Sequence, residues 1–246
     1  MNRVDYDRIS EIYDLVRTGD PQVIGFILDK KDVKADTKIL EVGCGSGNNT
    51  VLMKAASEAE VYGLDQSKGM LEKAKVKDGS IHFYLGDAVL LEGFQDESLD
   101  IVYMVDVIHH IKDIGSMFRN IYRVLKRDGM VFIFTDTHER IREERITSKY
   151  FPETVSVELE RYQPTEQMLY AMKSCGLKDI RLEKLEYEEE TDMGEYLIKV
   201  AQTKGYSMFH LIPEAALERG IQRIRQDMKK GKIAYKPNTP VFLGRK

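Results

Sequence analysis

Three carboxylates and three glycines carry most of the chemistry legible in this chain. Glu41, Gly43, Gly45 and Gly47 fall within Ile39-Leu40-Glu41-Val42-Gly43-Cys44-Gly45-Ser46-Gly47, where an apolar run breaks into glycines at alternate positions. Ile39, Leu40 and Val42 suit a strand buried in a parallel sheet, and the glycines let the next turn take unusual dihedrals and bring backbone N–H groups close to a ligand. The pattern points to an adenosine-bearing cofactor. Asp65 closes a second apolar segment 18 residues after Gly47, and an acidic residue about 20 residues on is where nucleotide-binding α/β folds hold a ribose diol. Asp87 follows a third such segment, Phe83-Tyr84-Leu85-Gly86. The dinucleotide fingerprint Gly-x-Gly-x-x-Gly is not met: the third glycine comes one residue early and position 48 is Asn48, which disfavours NAD and FAD.

His109, His110 and His138 stand just beyond later strands. Histidine is the natural general base near neutral pH, so His109 and His138 are candidate catalytic residues. Adjacent histidines without a third ligand in register do not make a metal site, and no metal is expected. The planar forks of Arg140, Arg142 and Arg145 would suit an anionic acceptor, although Glu139 to Lys149 reads more simply as a solvated charged helix.

The elements that must position these residues alternate. Asp20-Pro21 is a helix start, with Val23, Ile24, Ile27 and Leu28 on one face. Val51, Leu52, Ala55, Ala56 and Ala59 form the apolar stripe expected of the helix after the glycines, whose N-terminus points at the ligand. Ser67 caps a helix whose Met70, Leu71 and Ala74 face inward, and Asp113 opens another with Ile114, Met117, Phe118, Ile121, Tyr122 and Leu125, closed by Gly129. Residues 136–162 read as a substrate-side loop or lid. Pro164 to Ser174 is a helix, Ile180 to Glu188 a strand, 191–232 a helical insertion with Leu217, Ile221, Ile224 and Met228 on one face, and Thr239 to Gly244 a closing strand.

Glu-x-Gly-x-Gly-x-Gly resembles the first motif of the class I S-adenosylmethionine-dependent methyltransferases. The segments ending at Asp65 and at Asp87-Ala88, Leu99 to Met104 with Val105 to His110, and Leu125 to Val131 resemble the later motifs in order. The resemblance implies an α/β, doubly wound, Rossmann-like sheet of about seven strands, mostly parallel, with the last strand antiparallel and a helical lid insertion. It implies one methyltransferase domain over 1–246, with 1–18 as a cover segment and 191–232 as an insertion between the last two strands. The implied cofactor is S-adenosyl-L-methionine, leaving as S-adenosyl-L-homocysteine. Its implied contacts are Tyr13, Glu41, Gly43, Cys44, Gly45, Asp65, Gln66, Met70, Asp87, Ala88 and Met104. Glu41 would hold the ammonium, the glycine loop the carboxylate, Asp65 the ribose diol, and Asp87 with the Ala88 N–H the adenine. Such a cofactor has no phosphate for these carboxylates to repel. The implied reaction is in-line methyl transfer to an O, N or C atom of a small-molecule acceptor. A non-catalytic cofactor-binding module and a nucleic-acid or protein methyltransferase are the alternatives.

Composition narrows the classes. With 37 Lys and Arg against 41 Asp and Glu, the net charge is −4, so no basic surface is expected to grip nucleic acid. The fourth strand leads into Val105-Asp106-Val107, not the Asn-Pro-Pro-Tyr type of signature used in amino-group base methylation. Cys44 and Cys175 are the only cysteines, which suggests a reducing, cytoplasmic setting and too few thiols for arsenite methylation. No apolar run approaches the roughly 18 residues of a membrane span. A homodimer is left open.

Overall fold

The computed structural model describes residue 14, residues 17–187 and residues 191–246. Tyr13 and most of the 1–18 segment lie outside the described residues. Helix α1 (Pro21–Lys30) starts where the Asp20 carboxylate accepts the Gln22 N–H and Pro21 fills the first turn, where a missing N–H costs nothing. Strand β1 (Lys38–Val42) leads through the glycine turn into α2 (Asn48–Ala56). Strand β2 (Glu60–Asp65) leads into α3 (Lys68–Lys77), whose Met70 N–H is accepted by the Ser67 hydroxyl. Strands β3 (His82–Leu85) and β4 (Leu99–Val105), helix α4 (Ile114–Val124) and strand β5 (Leu125–Phe134) follow. Then come α5 (His138–Glu143), α6 (Ile146–Tyr150), α7 (Glu153–Arg161), α8 (Thr165–Ser174) and β6 (Lys178–Glu186). An excursion of β7 (Thr191–Asp192), α9 (Gly194–Gln202), α10 (Glu214–Met228) and β8 (Ala234–Tyr235) precedes β9 (Asn238–Arg245).

Seven strands stand in the order β3-β2-β1-β4-β5-β9-β6. The first five are parallel, and β9 runs antiparallel to both its neighbours. The chain turns from one half of the sheet to the other between β1 and β4, the switch point at which open α/β sheets bind ligands. Alternation along the strands feeds two cores. Leu40, Val42, Val102, Met104, Val131 and Ile133 pack with α4 and α8, whereas Ile39, Ile101, Tyr103, Phe132 and Phe134 pack with α1. Among the described residues no helix is long and apolar enough to cross a membrane.

Several local expectations are corrected. Helix α2 buries Thr50 and Met53 while Ala55 and Ala56 are exposed, because the turn at Gly47 (φ +78°) aims the Thr50 hydroxyl at Glu41. Helix α4 ends at Val124, five residues before Gly129, since Leu125 is already extended and enters β5. Residues 136–162 are three short helices, not a loop, the first capped by the Thr137 hydroxyl accepting the Arg140 N–H. Arg140 and Arg145 are not solvated: their side chains are 13% and 11% exposed and pair with Asp136.

The excursion between β6 and β9 has an apolar cluster of its own. Leu197, Val200, Phe209, Leu217 and Ile224 close on Tyr150 and Phe151 from the end of α6, with Ile221 and Met228 half-buried at its edge. Strands β7 and β8 pair antiparallel, so the excursion leaves and returns at one place. Helix α10 lies so close to α6 that a Cβ on Gly220 would sit 2.1 Å from the Phe151 ring. Gly220→Val should therefore destabilise the protein by roughly 2–3 kcal/mol through forced repacking. Gly25, mid-helix with nothing within 4 Å of an added Cβ, should instead gain about 0.5–1 kcal/mol as Gly25→Ala. Urea midpoints measure both; a neutral Gly220→Val would mean that α10 is not seated on Phe151.

Candidate active site

A cavity of about 1000 Å³ opens at the carboxyl ends of β1, β2 and β4. Small-molecule sites span roughly 300–1,000 Å³, and this cavity stands at the upper end of that range. One half of it is the glycine turn. Gly43, Gly45 and Gly47 have φ of +74°, +54° and +78°, backbone that other residues adopt only with strain. A Cβ on Gly43 would fall 2.4 Å from Val107 Cγ2, so the turn after β1 can touch the segment after β4 only without a side chain.

The N–H groups of this turn are largely committed within the protein. Gly43 and Cys44 donate to the Leu64 carbonyl at 2.7 and 3.0 Å, and Gly47 to the Cys44 carbonyl at 2.9 Å. Gly45 donates to Asp65 Oδ2 at 2.8 Å, while Asp65 Oδ1 accepts the Ser67 N–H at 2.8 Å. Each Asp65 oxygen has a second lone pair, so the carboxylate can clamp the turn and still accept from a diol. Gln66 and Met70 line the cavity beside it. Across the cavity Asp87 is exposed and Oδ1 accepts the Val89 N–H at 2.6 Å, with Ala88 half-buried next to it.

Glu41 is 2% exposed. Its Oε2 accepts from the Thr50 hydroxyl at 2.5 Å and the Tyr103 hydroxyl at 3.1 Å. Burial nevertheless pushes its pKa up to about 7, the Thr50, Tyr103 and Asn49 hydrogen bonds offsetting only part of it and Asp65 adding to the rise. A carboxylate poised there gains a full charge only when a cation arrives. The Cys44 thiol is pushed well up by burial, Glu41 and Asp65, which removes it as a nucleophile.

The other half of the cavity was less visible in the sequence. Its wall includes Arg17, Asp106, His109, Tyr162, Tyr187, Tyr196 and Tyr206, from segments far apart in the chain. Asp106, at the end of β4, holds a left-handed φ of +55°, strain of a kind that gathers at functional sites. That strain and the proximity to a strand end were the only signals that could have singled it out. Arg17 donates to Asp106 Oδ2 at 3.0 Å. Tyr187 donates to Asp20, and the Tyr196 and Tyr206 hydroxyls are 2.9 Å apart.

His109 stacks on Tyr162 at 4.4 Å between centroids, and its enclosed Nδ1 has no hydrogen-bond partner. Burial, His110 and the arginines at 161, 145 and 17 push its pKa well down. His110 keeps one side open to solvent, yet packing around its ring and Arg161 push it down to about 4, with Asp106 pulling the other way. Two candidates fall outside the cavity wall. His138 is spent on the Tyr162 carbonyl, with Nε2 at 2.8 Å. Met104 is wholly buried in the core packed by α4 and α8, because strand alternation turns its neighbour Tyr103, not Met104, toward Glu41.

Behind this chamber lies a buried charge network. Arg145 pairs with Asp136 at 3.0 Å and Glu158 at 2.9 Å, Arg140 pairs with Asp136, and Arg161 pairs with Glu158 at 2.7 Å and reaches the Ser207 hydroxyl at 3.0 Å. These arginines are engaged with carboxylates of the chain itself, so they brace the wall and do not present an anion site.

Residues 40–133 match the family described as "Methyltransferase domain". Phosphoethanolamine N-methyltransferase 1 of Arabidopsis thaliana is 30% identical over 172 residues, which are 67% of this chain and 33% of that protein. A wheat (Triticum aestivum) phosphoethanolamine N-methyltransferase 1 is 34% identical over 48% of this chain and 24% of its own length. The chain thus spans a quarter to a third of these relatives. Among solved structures, a putative methyltransferase from an antibiotic biosynthesis pathway of Anabaena variabilis superimposes with a TM-score of 0.75 at 19% identity, covering 93% of this chain and 98% of that one. That likeness establishes the shared fold.

The two strand-end aspartates should separate by their structural duties. Asp65→Ala unties the Gly45 and Ser67 N–H groups together and should cost stability on the order of 2 kcal/mol, whereas Asp87→Ala loses one exposed turn contact and should cost under about 1 kcal/mol. Equal urea midpoints for the two variants would show that Asp65 does not clamp the turn.

Proposed function

We propose that this chain, whose residues 40–133 match the family described as a methyltransferase domain, is a class I S-adenosylmethionine-dependent methyltransferase that transfers the methyl group of S-adenosyl-L-methionine to an O, N or C atom of a small molecule. The chain would act in the cytoplasm as one catalytic domain. The observation that carries the reading is Glu41, a buried carboxylate beside the glycine turn that burial holds near neutrality. An ammonium is the partner such a group lacks. Eight carboxylates line the cavity against four Lys and Arg side chains, which suits a cationic cofactor and opposes a pyrophosphate.

Glu41 then holds the methionyl ammonium, the spare lone pairs of Asp65 accept from the ribose diol, and Asp87 with the Ala88 N–H meets the adenine. Gln66 and Met70 complete the nucleoside wall, and the Gly43 to Gly45 backbone supplies the space for the methionyl end. The bound cofactor supplies an already activated methyl on a sulfonium, so positioning provides most of the acceleration. His109, enclosed and stacked on Tyr162, shapes the acceptor half and is available as a hydrogen-bond partner. Arginine forks committed to Asp136 and Glu158 keep water and anions from the back wall. The 191–232 excursion and the 1–18 segment, Tyr13 included, are read as covers that exclude water during transfer.

The relatives named for N-methylation of phosphoethanolamine and C-methylation of sterols span nitrogen and carbon acceptors, so the family alone does not choose the atom.

Calorimetry should find S-adenosyl-L-homocysteine binding far more tightly than NAD; equal affinity for NAD would refute the cofactor assignment. Binding an ammonium lowers the Glu41 pKa from about 7, so affinity should be constant above that pH. It should fall as pH drops below it, approaching tenfold per pH unit. Glu41→Gln should weaken binding and flatten this profile. Hydrogen exchange of residues 191–232 should slow when the product cofactor binds; unchanged exchange would leave the excursion without a covering role.

A further inference from the structure

The acceptor half of the cavity already holds a cation, and the chain supplies it. The Arg17 guanidinium donates to Asp106 Oδ2 at 3.0 Å and lies over the Tyr206 ring, its Cζ 4.5 Å from the centroid. Carboxylate on one side and aromatic face on the other is the arrangement that recognises an organic cation. The two groups are 32% and 38% exposed at their side chains, so the pair stands at the mouth and can part without unpacking the core. Tyr196 extends the aromatic surface, its hydroxyl meeting that of Tyr206. The Asp106 charge reaches further round the chamber, for it helps to raise the phenol pKa values of Tyr162, Tyr187 and Tyr196 after burial has begun the shift. Asp106 also adjoins the cradle: the next residue, Val107, is the one against which Gly43 packs.

We propose that the methyl acceptor is an amine whose ammonium occupies the place between Asp106 and the Tyr206 ring, and that Arg17 is a tethered stand-in which the acceptor displaces. The inference rests on the methyltransferase reading and names the acceptor class within it. The buried arginines offer an anionic acceptor no comparable place, since Arg140 and Arg145 are held by Asp136 and Glu158. For transfer, the ammonium gives a proton to solvent at the open mouth, and the freed nitrogen lone pair forms the N–C bond as the S–C bond breaks. The positive charge passes from sulfur to nitrogen, leaving a neutral thioether and a methylated ammonium. That product remains a cation, and Arg17 competes with it as well, which speeds its departure.

A tethered competitor acts at a local concentration on the order of millimolar and lowers the apparent affinity of any ligand for the place it holds. Choline is the probe, with dimethylbutanol, its uncharged isostere bearing carbon in place of nitrogen, as the control. Calorimetry is run on the full chain saturated with S-adenosyl-L-homocysteine. Arg17→Met should bind choline about tenfold more tightly than the native chain, because the competitor is gone. Arg17→Lys, which keeps the charge, should show little gain. Adding Asp106→Asn or Tyr206→Leu to Arg17→Met should cancel it, each by about tenfold. Dimethylbutanol should respond to none of these changes. An equal gain for the isostere would mean that the shorter side chain merely widens the chamber, and no choline binding, or no gain on removing Arg17, would also overturn the proposal. The product-cofactor titration that precedes these runs is a separate measurement: its failure would sink the methyltransferase reading, whereas a negative choline result with normal cofactor binding would sink only the amine assignment.

Discussion

Close contact between the Gly43 backbone and the Val107 side chain is the constraint on which the rest of this molecule depends. The turn after β1 and the segment after β4 meet at Gly43 and Val107, where even a methyl group would overlap. Because β1 and β4 are neighbours at the point where the sheet changes direction, that contact fixes how wide the crevice at their carboxyl ends can be. Asp65 then ties the same turn to the end of β2 through the Gly45 and Ser67 N–H groups. The cradle is thus made of three strand ends held in register by the sheet and by two N–H groups donating to one carboxylate. A ligand entering it meets groups already in place, so little of its binding energy goes into ordering them.

Electrostatic balance differs sharply between the two halves. In the cradle, burial makes Glu41 reluctant to ionise, and the Asp65 charge adds to that effect. In the chamber, every charge described above has an opposite: Arg17 with Asp106, Arg140 and Arg145 with Asp136, Arg145 and Arg161 with Glu158. Buried pairs of this kind contribute little net stability, since desolvation offsets most of the attraction, but removing one partner strands the other. Their effect is to hold α5, α6, α7 and the turn at Ser207 in one arrangement. The unbalanced half suits a cation brought from outside; the balanced half keeps its own cations until something replaces them.

The cradle was legible in the sequence because its parts are local. Glu41 and the glycines fall within seven residues, and Asp65 and Asp87 each follow an apolar run, so their spacing places them together at one edge of the sheet. Met104 failed because the alternation along β4 puts it opposite Tyr103, and no local pattern says which parity faces the cofactor. His138 failed because nothing in the sequence reveals that the Tyr162 carbonyl, 24 residues on, takes its ring nitrogen. The arginines of 140–145 read as solvated since a charged helix looks the same whether its partners are water or carboxylates, and Glu158 lies 13 residues beyond Arg145. The sheet order and the antiparallel last strand agree with the family resemblance, which could not foresee that 136–162 folds into helices.

The chamber shows why the second half of the cavity is harder to read from the sequence than the first. Arg17 precedes α1, Asp106 ends β4, Tyr162 follows α7, and Tyr206 sits between α9 and α10. Their meeting depends on the apolar cluster that seats α10 on Phe151, and on the buried pairs that align the short helices beneath it. None of these residues has a sequence neighbour that shares its task. A cofactor site can remain fixed by the sheet while such a chamber is rebuilt, because changes in α9, α10 or the 136–162 helices leave the Gly43 contact and the Asp65 clamp untouched. Packing outside the sheet therefore sets the shape of the chamber, and the strained, surface-reaching Asp106 is the point at which that packing meets the end of β4.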